Sequence, residues 1–193
     1  DLVLYGSSGA QLLQNIYDPE TQQRSWEPMP LATTLLNISA VAAVDVDIDG
    51  DLDLLLAGEG RIEQWSNRTG WKFGVRLDSP QELPEGFRVR QFLPVDLDRD
   101  VDLDVLVVAE DGRCGLLENL RHGILRYREL LADGAPLRAD CLGLIDWNGD
   151  ASWDLLAGDA QGLRLLRGVI TPAGSISFKQ AENWPLPARD FLL

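Results

Sequence analysis

Short apolar runs broken by Gly, Pro, Ser and Asp recur along the whole chain, and no stretch sustains a 3.6-residue period. The pattern predicts strands. Residues 2–5, 11–16 and 24–28 form the first group, separated by Gly6-Ser7-Ser8-Gly9 and by Asp18-Pro19. Residues 36–44 are almost continuously apolar, with small Ala40, Ala42 and Ala43, as expected of a strand buried on both faces. Strands follow at 54–57, at 61–65 in period two, and at 71–77, before a Pro-rich link to Gly86. The next group reads 87–95, 105–108, 114–119 and 124–131, and the last 137–145, 155–157, 163–167 and 175–180. The predicted units are 1–35 (partial), 36–86, 87–136 and 137–187. Residues 188–193 start a further inner strand, because Arg189 to Leu193 line up with Arg90 to Pro94.

The breaks between the first two strands of each full unit are alike. Loop one is Asp45-Val46-Asp47-Ile48-Asp49-Gly50-Asp51-Leu52-Asp53, with carboxylates at positions 1, 3, 5 and 9 and Gly at position 6. Alternate residues of a tight loop turn to one side, so Asp45, Asp47 and Asp49 can converge. The Asp51 carbonyl and Asp53 can complete the oxygen shell that calcium takes. Loop two, from Asp96 through Asp98 and Asp100 to Asp104, repeats the pattern. Loop three does so with Asp146, Asn148, Asp150 and Asp154. The last aspartates fall at 53, 104 and 154, and 52 residues before Asp53 stands Asp1, read as the ninth position of another loop. A period near fifty with four strands per unit predicts an all-β fold, a β-propeller of four-stranded antiparallel blades. About four units are present, expected as a segment of a ring of about seven blades. Sandwich modules need about 100 residues each.

The net charge is −14, from 31 acidic against 17 basic residues, and the three loops hold thirteen of the carboxylates. Two carboxylates 4 Å apart in water repel by about 1 kcal/mol, so the loops are strained without a cation. The charge argues against nucleic acid as a partner, which needs a basic stripe. No apolar run is long enough for membrane insertion. An EF-hand needs Glu at position 12 of the loop; Leu56, Val107 and Ala157 stand there.

These loops, each between an apolar strand and an Asp-Leu-Leu or Asp-Val-Leu strand, resemble those of the FG-GAP/VCBS repeat family, which builds integrin-α-like propellers and many bacterial surface proteins. The chain lacks the Phe-Gly and Gly-Ala-Pro signatures in their expected strand, so it resembles the bacterial branch. The resemblance implies up to three Ca2+ sites. The implied ligands are Asp45, Asp47, Asp49, the Asp51 carbonyl and Asp53; Asp96, Asp98, Asp100, the Asp102 carbonyl and Asp104; and Asp146, Asn148, Asp150, the Ser152 carbonyl and Asp154. It implies a non-catalytic binding or adhesion module for a protein or glycan ligand, in an extracellular, periplasmic or cell-surface setting. The alternatives are the propeller domain of a secreted hydrolase or polysaccharide lyase, and a structural spacer.

Loop one is expected to bind tightest. Val101 stands where loop one has Gly50, and loop three has fewer carboxylates and Ala151 there. The sole histidine, His122, sits in an expected exposed turn, which argues against a Ser-His-Asp site. Glu59 and Glu110 occupy corresponding turns and read as solvated turn residues, although a carboxylate pair can in principle act as acid and base. Of six tryptophans, Trp65 and Trp71 flank a turn, while Trp147 and Trp153 adjoin loop three. Either a carbohydrate platform or packing between units accounts for them. Cys114 and Cys141 lie on strands of adjacent units, as a disulfide or as buried thiols. Asn37 and Asn67 begin glycosylation sequons.

Overall fold

The computed structural model describes residues 1–68, 72–76, 83–170 and 176–185. Trp71, the link over 77–82, the expected strand start at Ser175 and residues 188–193 lie outside the described residues. The described chain is all-β, with no helix long and apolar enough to cross a membrane. Sheet one holds β1 (Leu2–Gly6), β2 (Gly9–Asp18) and β3 (Gln23–Met29). Sheet two holds β4 (Ile38–Val44), β5 (Asp53–Gly58), β6 (Arg61–Arg68) and β7 (Lys72–Arg76). Sheet three holds β8 (Val89–Val95), β9 (Asp104–Ala109), β10 (Cys114–Asn119) and β11 (Leu125–Glu129). Next come the short β12 (Leu131–Ala132) and β13 (Ala135–Pro136). Sheet four follows with β14 (Cys141–Ile145), β15 (Asp154–Asp159), β16 (Gly162–Ile170) and β17 (Ile176–Trp184). Within each sheet, strands consecutive in the chain pair antiparallel, as up-and-down meanders.

The sheets stack face to face through their second strands. Along β5, Leu54 and Leu56 enter a core shared with Leu12 of sheet one and with Leu35 of the link before β4, while Leu55 and Ala57 enter a core shared with sheet three (Val105, Val107, Leu117). Along β9, Val105 and Val107 face sheet two, and Leu106 and Val108 face sheet four (Leu142, Leu155, Phe178). A strand alternates its side chains between two faces, so a central strand covered on both sides becomes apolar throughout. The strands buried on both faces are therefore β5 and β9, the second strands of sheets two and three. Residues 36–44 do not have that role: Leu36 is exposed, and β4 alternates, burying Ile38, Ala40, Ala42 and Val44 while exposing Ala43. As the edge strand of its sheet, β4 lies against β8 of the next sheet, and β8 in turn lies against β14.

Equivalent irregularities join neighbouring sheets. The register shifts between Ile38 and Ala40 on β4, and between Val89 and Gln91 on β8. A bulge re-aims the extra residue. Ser39 Oγ donates to the Val89 carbonyl (2.5 Å), and one repeat later Arg90 Nη1 donates to the Asp140 carbonyl (3.1 Å). The Gln91 amide pairs with both backbone groups of Leu142 (2.9 Å each).

Residues 131–136 belong to the third unit by sequence but pair with the fourth sheet. The β12–β13 hairpin turns at Asp133 (φ 51°) and Gly134 (φ 77°), the backbone an Asp-Gly hairpin turn needs. It adds β12 parallel to β17, with Asp133 N–H donating to the Phe178 carbonyl (2.9 Å).

Candidate metal centre in the hairpin loops

Each acidic loop joins the first two strands of its sheet, and each has the same backbone. Positions 4 and 6 both take positive φ: Ile48 (61°) and Gly50 (91°), Arg99 (66°) and Val101 (79°), Gly149 (70°) and Ala151 (65°). The need at position 6 was legible from Gly50; the need at position 4 was not. Val101, β-branched and exposed, pays the steric cost that glycine avoids. In every loop the position-5 carboxylate accepts the N–H of position 7. The pairs are Asp49 with Asp51 (3.0 Å), Asp100 with Asp102 (3.0 Å) and Asp150 with Ser152 (2.7 Å). This Asx-type turn curls the chain so that positions 1, 3 and 5 face inward.

In loop one, carboxylate oxygens of Asp45, Asp47 and Asp49 lie within 4.8 Å of one another, and in loop two those of Asp96, Asp98 and Asp100 do the same. Oxygens bound to one calcium at about 2.4 Å are at most about 5 Å apart, so both trios fit one ion each. Asp96 Oδ1 is buried and has no hydrogen-bond partner, an acceptor left for a cation. Burial and then the Asp100 charge raise the Asp98 pKa. Loop three differs at position 3, where the Asn148 amide nitrogen donates to Asp150 Oδ2 (2.7 Å); the bond from the position-6 N–H to position 1 is shared, Ala151 to Asp146 Oδ2 and Gly50 to Asp45 Oδ2 (3.0 Å each). The Ser152 N–H and then the Asn148 amide hold the Asp150 carboxyl below its ordinary value.

The ninth aspartates are buried and tie each loop to the third strand of its sheet. Asp53 accepts Val46 N–H (3.2 Å) with one oxygen and Asn67 N–H (2.8 Å) with the other. Asp154 does the same with Trp147 (3.0 Å) and Gly168 (3.0 Å), and Asp104 accepts Asn119 N–H (2.8 Å). Asp1 accepts Asn15 N–H (2.7 Å) in sheet one, which matches its reading as a ninth position. Burial, opposed by the Asn67 N–H, pushes Asp53 up to about 6; burial likewise takes Asp104 to about 7, with Asp98 and Asp100 adding to it. The Asp102 side chain leaves the loop for Arg121 (3.2 Å), compatible with a carbonyl role for that residue. The loop-to-strand tie was not read from the sequence, although the spacing from Asp1 to Asn15, Asp53 to Asn67 and Asp104 to Asn119 is nearly constant.

A family model described as FG-GAP-like repeat matches residues 45–107. These residues are similar to an FG-GAP-like repeat, over about a third of the chain. The match runs from the first aspartate of loop one, through loop two, into β9. No curated protein matches the chain. Within the matched residues, Trp65 is buried and its indole N–H donates to Glu63 (3.0 Å), so it packs in the core and offers no platform. Trp147 and Trp153 are exposed, and Trp147 packs against Trp184 with ring centroids 5.8 Å apart and planes tilted by 60°. Glu59 and Glu110 line one cleft with Arg88 at the turns between second and third strands. Cys114 and Cys141 are free thiols, and burial pushes Cys114 up to about 12. His122 is exposed, as is Asn37; Asn67 is half-buried in β6.

Proposed function

We propose that the chain is part of a calcium-binding β-propeller and acts as a non-catalytic binding or adhesion module for a protein or glycan outside the cytoplasm. The observation that carries this reading is the pair of aspartate trios, each gathered within 4.8 Å at the same place in successive repeats. Bound calcium supplies the positive charge that offsets their mutual repulsion. The chain's own residues do the rest: Asp45, Asp47 and Asp49, or Asp96, Asp98 and Asp100, converge, and Asp53 or Asp104 anchors the loop to the next hairpin. Loop three offers Asp146, Asn148 and Asp150 as a third donor set once the Asn148 amide turns its oxygen inward. The sheets are blades of a ring of about seven. In such a ring, neighbouring blades cover Leu2, Leu4 and Trp26 on sheet one and Trp147, Trp153 and Val169 on sheet four, all exposed in the described chain.

Calorimetric calcium titration with melting curves tests the reading. Saturable binding and a higher melting temperature in calcium than in chelator are expected. Identical melting in both, with no heat of binding, rejects it. Protein and glycan arrays probed in calcium and in chelator then separate a binding module from a spacer.

A further inference from the structure

Asn119, the last residue of β10, is buried between loops one and two and touches both. Its amide nitrogen donates to the Val46 carbonyl of loop one (2.7 Å) and to the Leu103 carbonyl of loop two (3.2 Å). Its amide oxygen accepts Arg121 N–H (3.0 Å), and its own backbone N–H is held by Asp104 (2.8 Å). With both amide hydrogens and the amide oxygen engaged, the orientation is fixed: a flipped amide sets its oxygen against two carbonyls. Val46 lies between Asp45 and Asp47, and Leu103 lies between Asp102 and Asp104. One side chain thus bears on the backbone beside two separate ligand sets. Val46 is also fully buried, in a core with Leu117 and Leu125 of sheet three. Loop one is therefore seated on the sheet that carries loop two.

The next junction lacks this link. The residue fourteen after Asp154 is Gly168, and a Cβ there collides with the Trp153 carbonyl. No side chain at that position can reach back to loop two.

We propose that Asn119 couples the two cation sites, so that an ion in loop one strengthens binding in loop two and the reverse. The proposal rests on the reading that both loops hold calcium. Ordering either loop fixes the carbonyl that Asn119 grips, and the fixed amide then orders the other loop before its own ion arrives. Coupling of this kind is reciprocal, and typical values begin at about fivefold. Asn119 is a positioning residue; it offers no ligand.

The test titrates calcium into full-length chains whose third loop is disabled by Asp150→Ala. Removing loop two with Asp98→Ala is expected to weaken loop one about fivefold, and removing loop one with Asp47→Ala to weaken loop two by the same factor. In an Asn119→Ala or Asn119→Gly background, the second of which copies the residue of sheet four, each loop is expected to bind with one affinity whether or not the other is intact. Equal affinities in the native background overturn the coupling, and coupling that persists in a folded Asn119 variant overturns the assignment to this residue. Absence of calcium binding by the native chain overturns the calcium reading, and the coupling falls with it. Should both Asn119 variants fail to fold, the native-background pair still decides whether coupling exists.

Discussion

Loops one and three have the same length, the same two positive-φ positions and the same Asx-type turn, yet they handle charge differently. Loop one gathers three carboxylates within 4.8 Å of one another. In loop three one of the three is an amide, and its nitrogen satisfies Asp150 from within. The scaffold is shared and the charge at position 3 is not. Position 3, Asp47 against Asn148, sets that difference. The ninth aspartate lies outside it, because Asp53 and Asp154 make the same two backbone hydrogen bonds.

The largest effect is expected where the loops agree. Asp53→Ala and Asp154→Ala each leave one buried and one half-buried N–H group without an acceptor, a loss of about 3 kcal/mol in chelator. Urea unfolding of both variants should give similar values; a large inequality breaks the structural equivalence of the loops. Calcium separates them next. At roughly millimolar calcium and with sites of extracellular-module strength, loop one gains at most about 1.5 kcal/mol, which Asp47→Ala abolishes. Asn148→Asp should do the opposite in loop three: tighter calcium binding by calorimetry, and a lower melting temperature in chelator as two carboxylates meet.

The pH response sharpens the contrast. Asp53 at about 6 and Asp104 at about 7 lie above the ordinary 3.8, so the folded chain holds protons that the unfolded chain has lost. In chelator their contribution is fully favourable below about pH 4 and declines as pH rises through 6 to 7. Calcium, by favouring the ionised form, should flatten that decline. Asp150 has the reverse sign: its carboxyl lies below 3.8, so its contribution is present above that value and fades as pH falls. Melting temperature against pH, with and without calcium, reads both. The smallest effect is local: Val101→Gly relieves a β-branched residue at φ 79°, and with part of that relief offset by the freedom glycine gains when unfolded it should stabilise the chain by under about 1 kcal/mol in chelator, read by urea unfolding.

The repeat, its strands and the inward-facing acidic positions were all legible in the chain, because each is set by local spacing. A period of fifty fixes the unit, a period of two fixes the strand, and alternate aspartates in a tight loop share a side whatever surrounds them. The Asp133-Gly134 hairpin had a local signal too, but not its destination: whether residues 131–136 finish one sheet or start another depends on which free edge lies nearby, and that edge belongs to β17. Trp65 likewise reads as a turn-flanking aromatic until Glu63 and the stacked first sheet enclose it.

What the sequence by itself determined, then, is everything that follows from neighbours along the chain: strands, turns, and three loops that carry oxygen donors at matching positions. Only the tertiary structure decided which donors converge without satisfying one another, which aspartate is drawn under the loop to hold the third strand, and which asparagine bridges two loops 73 residues from its loop-one partner. Those outcomes depend on sheets stacking face to face, and burial between sheets is a property of the packed whole.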